Sequence, residues 1–200
     1  MTSATQLSLL EEATIGTMPE GFEYRPELLR PAEEAELIAR FQQLEFKPFE
    51  FHGYFGNRRT VSFGWHYDFA SSRVRPTIDI PDFLQPFRIK AAAFAELDPA
   101  VLEHALVTEY APGAGIGWHR DRPVFEDVIG ISLGAPCRFR LRKKRGNNWE
   151  RAAIELQPCS AYLLRGAVRR EWEHSIPPLD RLRYSVTFRS VKPTAKSTQR

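Results

Sequence analysis

Cysteine is scarce in this chain of 200 residues. Cys137 and Cys159 are the two present, and neither has a C-x-x-C partner. That excludes a disulfide framework and leaves both as reduced packing residues. Long apolar runs are missing too: none approaches the ~18 residues a membrane-spanning helix needs, so no membrane partner is expected. Glu11 and Glu12 stand where a secretory signal would want a cationic start, which argues for a soluble, cytoplasmic protein. No internal repeat is visible, so a repeat array is excluded. Charge of one sign is nearly absent as an excess, with 28 Lys and Arg against 25 Asp and Glu. What is present is a hydrophobic content of 42%, enough for one compact core and a monomer of one domain.

That domain is expected over residues 21–192, with 1–20 as a mobile extension and 193–200 as a tail, because both ends lack periodicity. Pro31-Ala32-Glu33-Glu34 has the proline and acids of a helix first turn, and Leu37, Ile38, Phe41 and Leu44 supply its apolar stripe. A second helix is expected from Leu84 to Leu97, stopping at Asp98-Pro99. Aromatic and β-branched residues predict strands over Glu50–Phe55 and Thr60–Phe69, paired as a hairpin. From Leu106 onward, short strands recur between Pro and Gly: 106–110, 128–133, 138–142, 152–156, 161–164 and 184–191. The fold class is mainly β: a double-sheet barrel or jelly roll with helices packed outside.

One constellation carries chemistry. His119 and Asp121 are two apart and point the same way in an extended segment. His174 lies 55 positions on, sharing a face with Trp172. Two imidazoles and a carboxylate on one side of a metal leave its other side open, as in non-heme Fe(II) oxygenases. A lone H-x-D is also what a surface histidine beside an aspartate looks like.

The strand Arg183-Tyr184-Ser185-Val186-Thr187-Phe188-Arg189 alternates polar and apolar with period two. Arg183 and Arg189 therefore share a face roughly 20 Å apart at the Cα atoms. Two side chains leaning inward can bracket a small dicarboxylate, a task for which the arginine fork is suited. A solvated polar face fits the same pattern. Further upstream, Arg138, Arg140 and Arg142 alternate with Cys137, Phe139 and Leu141, and Lys143, Lys144 and Arg145 follow before a turn at Gly146-Asn147-Asn148. A projecting basic hairpin of this kind suits a phosphate backbone, through Arg140, Arg142 and Lys143. Equally, it suits a solvated edge strand whose charges prevent aggregation.

Five motifs in order carry a family resemblance: Glu109-Tyr110-Ala111-Pro112-Gly113, Trp118-His119-Arg120-Asp121, Ile131-Ser132-Leu133-Gly134, Trp172-Glu173-His174-Ser175-Ile176 and the Arg183–Arg189 strand. Together the chain resembles an AlkB-type Fe(II)/2-oxoglutarate dioxygenase, closely over residues 105–191 and loosely before them. The resemblance implies a double-stranded β-helix, with N-terminal helices on one sheet, and iron on His119, Asp121 and His174. It also implies 2-oxoglutarate held by Tyr110, Arg183 and Arg189, with O2 as the second co-substrate. Thr108 and Ser185 stand where founding bacterial members carry other hydrogen-bonding side chains, so both join the expected co-substrate site.

By the same resemblance, the reaction turns 2-oxoglutarate into succinate and carbon dioxide and hydroxylates a C–H bond next to nitrogen. The hemiaminal then releases an aldehyde and the bare amine. The implied partner is alkylated DNA or RNA, in repair or in reversal of an RNA modification. An N-terminal lid containing Gly64-Trp65-His66-Tyr67 would stack a flipped base on Trp65, with Tyr67 second; Trp65 also reads as an ordinary core aromatic. Pro123 replaces the acid that founding repair enzymes carry after H-x-D, and the pattern through Phe125-Glu126-Asp127 is closer to homologues that act on transfer RNA or on proteins. An oxygenase for tRNA modifications or protein side chains is therefore the alternative. A non-catalytic nucleic-acid-binding barrel is the third reading, and it gives the arginine pair no role.

Overall fold

Period-two segments dominate the chain, and in the computed structural model they pair antiparallel into two facing sheets. The structure describes residues 14–15, 17–51, 54–68 and 73–192. The tail over 193–200 and most of the expected extension lie outside the described residues. Strands are numbered in chain order. The smaller sheet runs β1 (Thr14–Ile15), β11 (Asn148–Leu156), β10 (Cys137–Arg145), β13 (Glu173–Ile176), β8 (Ile116–His119). The larger runs β2 (Phe22–Arg25), β12 (Ala161–Leu164), β9 (Phe125–Gly134), β14 (Arg183–Val191), β7 (His104–Tyr110), β4 (Tyr54–Phe63), β3 (Lys47–Phe51). A separate ribbon joins β5 (Trp65–Asp68) to β6 (Arg73–Pro76). This is the double-stranded β-helix expected of the sequence.

Helices α1 (Pro31–Phe41) and α2 (Gln85–Phe94) cover the outer face of the larger sheet. Leu37 and Phe41 of α1 and Phe87, Ala91, Ala92 and Phe94 of α2 join one buried cluster with Val107, Ile131, Val186 and Phe188. The even positions of β14 thus face the helices. Its odd positions face the space between the sheets, beside a second cluster built from Tyr110, Val128, Phe139, Leu141, Leu156 and Trp172. Each large side chain so buried contributes about 1.5–3 kcal/mol. Polar links fix the helices as well: Glu34 accepts from the Gly134 amide at 2.8 Å, and Lys90 donates to Glu33 at 2.8 Å.

Several expected boundaries move. The second helix ends at Phe94, because Glu96 takes a left-handed conformation (φ 54) and the Leu97 amide turns back to the Ala92 carbonyl. Thr60–Phe69 is two strands, broken at Gly64 (φ 77), where a Cβ would fall 2.0 Å from the Glu103 carbonyl oxygen. The hairpin expected there joins β3 to β4 instead. A short helix, α3 (Gly166–Glu171), was not expected at all.

The edge-strand reading of the basic segment is corrected. Strand β10 pairs with β11 on one side and β13 on the other, so Arg140 and Arg142 sit in the body of the sheet. Beyond Arg142 the β10–β11 pair continues without β13. Both cysteines are free and buried, as expected.

Candidate active site

Cross-strand register assembles the site. His174 of β13 is the partner of His119 at the end of β8, and the two rings lie 4.2 Å apart between centroids. Asp121 follows in the loop, with Oδ2 3.7 Å from His174 Nε2. The three predicted donors are therefore neighbours, His174 lying against both His119 and Asp121. His119 Nδ1 lies 2.9 Å from the Gly117 carbonyl. A carbonyl can only accept, so Nδ1 carries the proton and Nε2 keeps its lone pair, as a metal-ligating imidazole requires.

The electrostatics suit the same task. Burial, then the neighbouring His119, push His174 down to about 3, against a smaller opposing pull from Asp121. Burial also lowers His119, with Asp121 opposing. For Asp121, burial alone would raise the carboxyl, but Arg189, His174 and His119 together outweigh it and hold it well below the usual carboxylate range. Two neutral imidazoles and a carboxylate are the protonation states that bind a divalent metal. As the side chains stand, no three such donors among the described residues converge on one point. Asp121 Oδ1 is instead held by Arg189, at 3.0 Å from Nε and 2.9 Å from Nη2.

The odd face of β14 is wholly buried, which overturns the reading of it as a solvated polar surface. Arg183 is 1% exposed. Its Nε and Nη2 donate to Ser132 Oγ at 3.3 and 3.1 Å, and its guanidinium lies 4.9 Å from the centre of the Tyr110 ring. Nη1 is buried with no hydrogen-bond partner among the described residues. A buried cation with an open donor and no carboxylate paired with it among those residues calls for an anion. Register places Tyr110 opposite Arg183 and Thr108 opposite Ser185, so all four predicted residues line one face.

Residues to which the sequence assigned no role in the site complete the walls. Ser132 is set beside Ser185 by the β14–β9 register. Tyr162 lies over Gly130, where a Cβ would fall 2.3 Å from its ring, and its hydroxyl is held protonated mainly by burial, reinforced by Asp121 and Tyr110. His104 Nδ1 is 3.3 Å from Arg189 Nη1, and Arg58 is half-buried opposite Tyr110. Ser132 lies in the Ile131-Ser132-Leu133-Gly134 motif; the others sit in no recognisable motif, and strand pairing alone could have found them.

The substrate candidates scatter. Trp65 is half-buried and its indole N–H donates to Glu103 Oε2 at 3.1 Å, one residue from His104. Tyr67 follows in β5, with its side chain outside the described residues. The basic segment is largely neutralised: Arg142 pairs with Glu173 at 2.7 Å, Lys143 with Glu171, and Arg145 with Glu150 at 2.9 Å. Arg142 is also clasped between the rings of Trp118 and Trp149, and Arg140 donates to Ser175 at 3.0 Å.

The profile of the 2OG-Fe(II) oxygenase superfamily matches residues 21–189. The chain belongs to that superfamily. Members of this superfamily use Fe(II), with 2-oxoglutarate and O2 as co-substrates. An Arabidopsis thaliana relative described as "Alkylated DNA repair protein ALKBH8 homolog" is 26% identical over 193 residues, covering 84% of this chain and 54% of that one. An uncharacterized protein of Acanthamoeba polyphaga mimivirus is 32% identical over 102 residues, 44% of this chain and 48% of its own. The oxygenase chain thus spans about half the length of the curated relatives it matches. The solved structure of OsALKBH1 shares the fold, with a TM-score of 0.68 at 18% identity, over 88% of this chain and 99% of that one. Among the described residues no helix is long and apolar enough to cross a membrane.

Proposed function

We propose that the chain oxidatively removes alkyl groups from N-alkylated bases in DNA or RNA, with Fe(II) on His119, Asp121 and His174. The observation that carries the site assignment is Arg183, a buried guanidinium with an open Nη1, on the strand face that also carries the Asp121-bound Arg189. In this assignment Arg183 takes the distal carboxylate of 2-oxoglutarate. Tyr110, Thr108 and Ser185 line its path, and Arg189 fixes Asp121 at the metal-side end. With Fe(II) and 2-oxoglutarate bound, O2 would be the oxidant, one of its oxygen atoms ending in succinate, released with carbon dioxide, and the other in the hydroxyl on the substrate carbon. A hydroxyl on the alkyl carbon next to nitrogen leaves with it as an aldehyde.

A nucleic-acid substrate is supported by the name of the Arabidopsis relative and by Trp65, whose edge is tied to Glu103 near the Arg189 end of the barrel. Trp65 and Tyr67 are the proposed base platform, and Arg140, Arg142 and Lys143 the proposed flank. A second reading, an oxygenase for tRNA modifications or protein side chains, is favoured by Pro123. It is exposed beside Asp121 and offers no carboxylate to a base amine. The test incubates iron-loaded protein with 2-oxoglutarate and N-methylated DNA, RNA and tRNA. Loss of the methylated base is expected; succinate formation with a peptide pool and none with nucleic acid would select the second reading.

A further inference from the structure

Beside Asp121 opens a cavity of about 580 Å³, walled by the loop after β8, the start of β9, α3 and Lys192. Its lining is strongly cationic: Arg120, Arg122, Arg169, Arg170 and Lys192. Three carboxylates also line it, but two are already engaged, Asp121 with Arg189 at 2.9 Å and Glu173 with Arg142 at 2.7 Å. The third, Glu126, is exposed and makes no ion pair among the described residues. Positive charge is therefore in excess at this mouth.

Arg169 shows that the excess is built in. It is 6% exposed, and its Nη2 donates to the carbonyls of Arg122 and Phe125, the latter at 2.8 Å. Its Nε is buried with no acceptor among the described residues, and Asp121 and Glu126 attract the guanidinium without forming an ion pair with it. A buried guanidinium left short of one acceptor and of a contacting carboxylate is costly to the fold by itself. Carbonyl groups hold it in place, while the charge stays available to a ligand in the cavity. An oxyanion would supply the missing acceptor and a countercharge in direct contact.

We propose that this cavity is a phosphate subsite for the substrate. It takes a backbone phosphate of the nucleotide whose base is presented at Asp121, with Arg169 as floor and Arg120, Arg122, Arg170 and Lys192 as rim. The proposal rests on the nucleic-acid reading above and names how that substrate is gripped. A base and its phosphate are joined through one sugar, so a nucleotide extruded into the site must leave its phosphate close to the mouth. The cavity lies within the range of pockets that hold ligands of drug size, with room for sugar as well as phosphate. Phosphate-binding groups of this kind position the strand without reading its sequence.

The experiment measures binding, by fluorescence anisotropy of a labelled single-stranded oligonucleotide with a central N-methylated adenine, on the full chain without O2. The Arg170→Ala/Lys192→Ala double variant alters the rim and leaves the Arg169 floor intact. Its affinity is expected to fall about 10- to 100-fold. Its log–log salt slope should flatten by about 0.7, the share of the one phosphate held in the subsite of a single strand. Replacing the phosphate beside the methylated base with one neutral methylphosphonate should weaken wild type about tenfold and leave the double variant unchanged. Equal weakening of both proteins, an unchanged salt slope, or binding of an acidic peptide in place of the oligonucleotide overturns the proposal. Because the readout is binding, rim-dependent affinity in a protein that removes no methyl group would break the dealkylation reading and leave the subsite standing. Dealkylation that persists with rim-independent binding would do the reverse.

Discussion

Arg183 and Arg189 stand six residues apart on one face of one strand, both buried, yet their surroundings differ in kind. Arg189 is saturated, with Asp121 on two of its nitrogens and His104 on the third. Arg183 has one serine hydroxyl, an aromatic face, and an Nη1 with nothing to bond among the described residues. A buried charge whose partner is supplied by the chain is part of the architecture. One whose partner is missing is a receptor.

The sharpest way to break that distinction is Arg189→Met. It strands the Asp121 carboxylate in a buried site, which costs about 3–5 kcal/mol. For a domain of this size that is roughly a 10 °C fall in the thermal midpoint, with iron loading reduced in parallel. Arg183→Met should behave oppositely in the protein without co-substrate: its midpoint should hold or rise, since an uncompensated charge is replaced by apolar volume. Its KM for 2-oxoglutarate should climb about 100-fold, the loss of a charge-assisted pair of ~3 kcal/mol. Equal falls in stability for the two variants would erase the contrast.

Acid should reveal the saturated end next. Burial places His174 at about 3 in the folded state, below its ordinary 6.5. The unfolded chain therefore takes up this proton first, so the stability is complete above about 6.5 and drains as pH falls towards 3. Asp121, also depressed, adds loss of the same sign below its ordinary 3.8. Denaturation of iron-free protein across this window should show a declining midpoint, and His174→Gln should flatten the upper part of it. The smallest effect is expected from Ser132→Ala, which removes the hydroxyl that aims Arg183. At about 0.5–1.5 kcal/mol, that is a rise in KM for 2-oxoglutarate of 2- to 12-fold with little change in stability.

These contrasts also mark what could be read from the chain before folding. His119, Asp121 and the β14 arginines were legible because their relation is local: a period of two fixes which side chains share a face. Tyr162, Arg169 and the bond from Arg183 to Ser132 were not, since they depend on which strand or helix lies alongside, a matter of register across distant segments. The ion pairs of the basic hairpin were hidden for the same reason. Its counter-charges, Glu171 and Glu173, come from about thirty residues further on. The jelly-roll class was visible in the punctuation of short strands, but the two-sided pairing of β10 was not.

The pairing of His174 with His119 has one more consequence. The two imidazoles are direct partners across β8 and β13, and the register shifts between His174 and Ile176. A slip by one residue would turn one ring to the far side of its sheet. With the ligand set proposed above, iron can be gripped only by the correctly aligned pair, so metal uptake would act as a proofreader of strand alignment during folding.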